Sequence, residues 1–141
     1  MFLRYIPVLV LVTCQIGFVS AETVKVYIQP VCQMDNGVTI YDKNIHVSLW
    51  EEDFSDWLMW NWFDSDDFFD DQQVQSGSVM QLEGSEVEVF SLEPYLLIRH
   101  DCFGYPRQDY VDLSRVNPDN NGIYNIGRFT ISRNGYYFNA N

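Results

Sequence analysis

The amino-acid sequence predicts an all-β domain, an antiparallel β-sandwich of about seven to eight short strands. Three observations predict it. β-branched and aromatic residues alternate with polar ones along most of the chain, which is the two-residue period of strands with one buried face. Turn-forming clusters divide these runs at Asp35-Asn36-Gly37, Ser76-Gly77, Glu83-Gly84, Phe103-Gly104-Tyr105-Pro106, Asn117 to Gly122, and Asn134-Gly135. Outside one aromatic and acidic segment, no stretch has the room and period for a long helix.

The first element precedes the sandwich. Met1 to Arg4, the apolar run from Ile6 to Val19 and the small-residue exit Val19-Ser20-Ala21 have the three parts of a secretory signal peptide. The apolar run is shorter than the ~20 residues a bilayer span needs, and no stop-transfer charges follow it. Residues 1–21 are therefore expected to be a signal peptide cleaved after Ala21, and no transmembrane segment is expected. Residues 22–141 then suffice for one domain with one core, secreted and extracellular.

Without Arg4 the remaining chain carries 7 basic and 20 acidic groups, a net charge of −13. Such a domain repels phosphate backbones, so nucleic acid is excluded as an expected partner. Cys14 leaves with the signal peptide, and Cys32 and Cys102 remain as an even pair in an oxidising compartment. A disulfide is the expectation, two free thiols the alternative.

The strands follow in order. Thr23 to Ile28 places Val24, Val26 and Ile28 on one face, and Pro30 argues for an edge or a strand end. Val38 to Tyr41 is a short separate piece. In Ile45 to Trp50, Ile45, Val47 and Leu49 alternate with His46, Ser48 and Trp50. Further strands are expected at Ser78 to Leu82, Glu86 to Phe90, Tyr95 to Cys102, Tyr110 to Leu113 and Ile123 to Ser132. Extending the apolar faces brings Cys32 and Cys102 to inward-pointing positions, compatible with a bridge at one end of the core if no bulge shifts the register.

The stretch EVEVFSLEPYLLIRHDC, Glu86 to Cys102, resembles the signature of the transthyretin-like family of secreted nematode proteins, through Pro94-Tyr95-Leu96 and His100-Asp101-Cys102. VSLWEED (Val47 to Asp53) is similar to that family's second main strand. DDFFD (Asp66 to Asp70) is similar to an Asp-Asp-apolar-apolar-Asp loop, GSVMQLEG (Gly77 to Gly84) to a central hairpin strand, and GIYNIGRFTIS (Gly122 to Ser132) to the closing strand. The chain departs from the family pattern in the spacing between Cys32 and Asn36-Gly37, in lacking a second cysteine pair, and in the Trp-rich stretch Trp57 to Phe63. The resemblance implies a transthyretin-like (immunoglobulin-like) sandwich, and a function centred on carrying small hydrophobic molecules or lipids or on extracellular protein contacts.

Candidate sites are few. The hydroxyisourate hydrolases that share the transthyretin fold use several histidines and a Tyr-Arg-Gly-Ser terminus, whereas this chain has His46 and His100 and ends Asn139-Ala140-Asn141. Ser48, His100 and Asp101 lack a nucleophile elbow, and adjacent strand residues point to opposite faces. No enzymatic activity and no cofactor are expected. Asp64, Asp66, Asp67 and Asp70 are weak calcium candidates, since hard cations take carboxylate oxygens, but their spacing is not that of an EF-hand. In the segment holding the binding candidates Trp57, Trp60, Trp62 and Phe63, either a short helical turn capped by Ser55 or Asp56 tucks Trp57, Trp60 and Met59 against the sandwich edge, or at least two of the tryptophans stay outside as an adhesive patch. The expected partner is a hydrophobic small molecule or lipid, or an extracellular protein, and a homo-oligomer is compatible with the sequence.

Overall fold

The computed structural model describes residues 21–52, 66–87 and 92–139. Nine strands build it: β1 (Ala21–Gln33), β2 (Thr39–Ile40), β3 (Asn44–Glu51), β4 (Asp67–Gln75), β5 (Met80–Val87), β6 (Pro94–His100), β7 (Arg107–Asp112), β8 (Ile123–Ser132) and β9 (Gly135–Phe138). A 3-10 turn, Leu113–Arg115, follows β7. The expected leader lies outside the described residues apart from Ala21, the first residue of β1. Among the described residues, no helix is long and apolar enough to cross a membrane.

Two sheets face one another. In the first, β1 is the hub: β8 lies along one side with β9 beyond it, and β5 and β2 share the other side. The second runs β4-β3-β6-β7, antiparallel throughout. The first is not wholly antiparallel as expected, because β1 and β8 run parallel. The inward residues Val24, Val26, Ile28, Ile45, Val47, Leu49, Leu96, Ile98, Phe129 and Ile131 fill the space between the sheets. Leu96, Ile98 and Phe129 are fully buried. At ~25 cal/mol per Å² of apolar surface, such side chains are the main stabilising term.

Pro30 is neither at an edge nor at a strand end; it lies inside β1. Its carbonyl accepts from Gly77 N–H at 2.8 Å. The nitrogen of a strand residue points the same way as its carbonyl, so the missing N–H faces the gap between β5 and β2, where it is not needed. The turn after β4 fills that gap: Cys32 N–H donates to the buried Ser76 Oγ at 2.9 Å. The one irregularity between β1 and β8 falls between Tyr27 and Ile28 and is absorbed by an extra residue in β8, so the parity of β1 survives. Cys32 and Cys102 are buried and bonded, as their parity requires.

DDFFD is not the loop that the resemblance implied: Asp67 to Gln75 forms the edge strand β4. Phe69 is the bulged residue there, lying between the pairs Leu49 with Asp70 and Trp50 with Phe68. Its ring rests on Gly84 of β5, where an added Cβ would collide with the Phe69 ring. Gly84→Ala is therefore expected to lower stability by about 1–3 kcal/mol through overpacking, read by urea denaturation. An unchanged midpoint would mean that Phe69 moves aside freely.

Candidate functional site

Alternation along the second sheet sends one set of side chains outward, away from the core. Trp50 on β3, Phe68 on β4 and Tyr95 on β6 stand in one row, with Asp112 of β7 opposite Tyr95. The next row holds Asp71, Ser48, Leu97 and Tyr110. Trp50 and Phe68 meet edge to face with centroids 5.2 Å apart, and Tyr95 and Tyr110 lie 4.9 Å apart. These are favourable ring geometries. The indole folds back over the strand because its Nε1–H donates to the buried Ser48 Oγ at 2.9 Å. Phe68 and Tyr110 stay 51% and 47% exposed.

Carboxylates border this face. Tyr95 Oη–H donates to Asp66 at 2.6 Å, and Tyr110 Oη–H to Glu52 at 3.4 Å. Burial, and then the carboxylates, push both phenols above the ordinary tyrosine range. Asp112 is held below the usual carboxylate range, chiefly by hydrogen bonding from Ser114. Its Oδ1 accepts from Ser114 N–H at 2.8 Å.

The sign of the tyrosine effect follows from proton counting. Above pH ~10 the unfolded chain loses phenolic protons before the folded one, so stability present at neutral pH is lost as pH rises. In an alkaline titration followed by phenolate absorbance, Tyr95→Phe is expected to remove a late-titrating component. Loss of an early component instead would show Tyr95 to be an ordinary exposed phenol.

The acidic residues singled out from the sequence are dispersed. Asp66 belongs to Tyr95, and Asp70 accepts from Glu83 N–H at 3.1 Å. Asp67 instead joins Glu51 and Glu86, with one carboxylate oxygen from each within 4.8 Å of the others. That trio could hold a hard cation by the chemistry of its donors. Asp64, Trp57, Trp60, Trp62 and Phe63, with the helical turn expected near Ser55 and Asp56, lie outside the described residues. So does Phe90, the end of one expected strand.

Ser48, His100 and Asp101 are not brought together. Ser48 lies on the outer face. His100 points inward, and its buried Nε2 is 3.0 Å from Asp109, while Asp101 pairs with Lys43 at 3.7 Å. Cys102 N–H donates to His100 Nδ1 at 3.4 Å, so the ring proton sits on Nε2 and is donated to Asp109. Arg107 binds the other Asp109 oxygen at 3.0 Å and donates to the carbonyls of Ser132 and Arg133. This network ties β6, β7 and the end of β8 beside the disulfide.

Among the described residues, clefts flank the sandwich. One, about 690 Å³, is lined by charged and polar side chains including Lys43, Arg99, Asp101 and Arg107. Another, about 410 Å³, lies between β7 and β9 and is lined by Tyr110, Val111, Asp112, Arg115, Tyr136 and Phe138.

These features define a disulfide-stapled two-sheet β-sandwich with an aromatic and acidic outer face. The sequence profile of the transthyretin-like family matches residues 31–110, more than half of the chain. The chain belongs to the transthyretin-like family. No curated protein and no solved structure matches it.

Proposed function

We propose that the protein is a secreted, non-catalytic binding module that engages an extracellular partner protein through the outer face of the second sheet. The half-exposure of Phe68 and Tyr110 on a face already backed by Trp50 and Tyr95 carries this reading. Exposed aromatic groups gathered on one face are characteristic of interaction surfaces. The buried disulfide fits an oxidising, extracellular setting. A second reading, a carrier of a small hydrophobic molecule or lipid, is favoured by the cleft between β7 and β9, where the rings of Tyr136 and Phe138 stack beside Phe129.

The test places a photo-crosslinking amino acid at position 68 and, as a control, at the exposed position 119, and offers the secreted protein to extracellular fluid of its source. A discrete adduct from position 68, absent from 119 and lost in Tyr110→Ala, is the expected result. Equal labelling from both positions, or none from 68, would sink the reading. Native mass spectrometry of the same preparation decides the second: a stoichiometric added mass that disappears on denaturation identifies a carrier.

A further inference from the structure

We propose that the outer face of the second sheet recognises a cationic segment of its protein partner, with arginine preferred to lysine. The inference rests on the reading above and adds the partner's chemistry. It begins with where the charge lies. Between residues 44 and 98 the sequence holds 13 acidic residues and no Lys or Arg, whereas the rest of residues 22–141 holds seven of each. The whole net charge of residues 22–141 therefore belongs to the stretch that supplies β3, β4, β5 and β6, three of which build this face.

The local pairing points the same way. The partners of Glu52 and Asp66 at this face are tyrosine hydroxyls. A phenol satisfies the carboxylate's hydrogen bond without neutralising its charge. Among the described residues no basic side chain forms an ion pair with either group. Arg115 reaches Asp112 at 3.5 Å from a largely exposed position, a screened pair that a partner can displace. Arg99 shares the face, two residues along β6 from Leu97 and roughly 7 Å away by strand rise, and is bonded to Gln108 instead of to a carboxylate.

The rings complete the match. Phe68 and Tyr110 offer open aromatic surface beside the carboxylates. A guanidinium can stack on such a ring while its edge pairs with a carboxylate; it is also less strongly hydrated than an ammonium. An anionic partner would meet Glu52, Asp66 and Asp112 together and be repelled.

The experiment is a proton-nitrogen NMR titration of the secreted protein with three short peptides of equal length, rich in Arg, in Lys or in Glu. The expected result is binding of the Arg peptide, with shifts concentrated at the Trp50 indole and at residues 68, 97 and 110, weaker binding of the Lys peptide and none of the Glu peptide. Glu52→Gln with Asp66→Asn should weaken the Arg peptide about tenfold. The charge-matched pair Asp35→Asn with Asp119→Asn, away from the face, should leave its affinity within about twofold. Dispersed spectra of the free variants verify their folding. No binding of the Arg peptide, shifts elsewhere, or equal loss in both double variants would overturn the proposal. The crosslink from position 68 reports on the face whatever the partner's charge. An adduct there with a failed titration confines the error to the partner's chemistry, and failure of both removes the face itself.

Discussion

Replacing Cys32 and Cys102 together with alanine is expected to lower the unfolding free energy by about 4 kcal/mol, the largest effect among these predictions. The bridge joins positions 70 residues apart. Its absence releases a long loop in the unfolded chain and costs the folded state the conformational entropy of closing it. It also pins β1 of the first sheet to the turn after β6 of the second, and both cysteines are buried, so the folded state loses packing as well. For a domain of this length the thermal midpoint should fall on the order of 15 °C. Urea denaturation of the double variant should show the larger loss, and that of the native protein with reductant, which keeps both buried side chains, a somewhat smaller one. A shift of less than about 1 kcal/mol in both would mean that the cysteines contribute little beyond their packing.

Asp109→Ala is expected to cost about 3 kcal/mol, because it strips two neighbours of one partner. The His100 side chain is 1% exposed and Asp109 10%. Without the carboxylate, the Nε2–H of His100 has lost its acceptor in a site that water does not readily reach. Arg107 keeps the Ser132 and Arg133 carbonyls but loses its counter-charge. Asp109→Asn retains an acceptor for the imidazole and should cost about half as much. Combining His100→Ala with Asp109→Ala should cost less than the sum of the single changes by at least ~1 kcal/mol, measured by denaturant unfolding. Strict additivity would show that the two side chains stabilise the fold independently.

Much of the core was legible because its signal is local. Ile123 to Ser132 was delimited as observed, and the alternation through Val24, Val26 and Ile28 correctly placed Cys32 inside. β4 was missed because Asp67, Asp70, Asp71 and three glutamines give it no strand-like composition. It is a strand because β3 offers it a complete hydrogen-bonding edge, and tertiary pairing outweighs intrinsic preference. β9 was missed for its length: four residues after a tight turn show too little period to read. The parallel pairing of β1 with β8 is a matter of strand order, about which alternation says nothing.

The candidate face was less legible for a related reason. Trp50, Phe68, Tyr95 and Tyr110 come from four strands and share a surface only once the register is known. A partial signal existed: Trp50 occupies the polar side of its own alternation with His46 and Ser48, an outward position that a large apolar ring takes when something else covers it. The tryptophans further along drew notice by their number, whereas this one differed only in its parity.

The parallel ladder between β1 and β8 also sets the timing of folding. Lys25 pairs with Ile123 and Cys32 with Ile131, partners separated by nearly the whole domain. At ~5–20 residues per second, the ribosome delivers β8 roughly 5–20 s after β1. Until then one edge of the central strand lacks its neighbour, and the fully buried Val26 and Ile28 lack the inward side chains of β8. Contacts this distant in sequence make for slow folding and for nascent chains prone to aggregation. Truncation before residue 123 would leave β1 exposed along the edge that β8 covers.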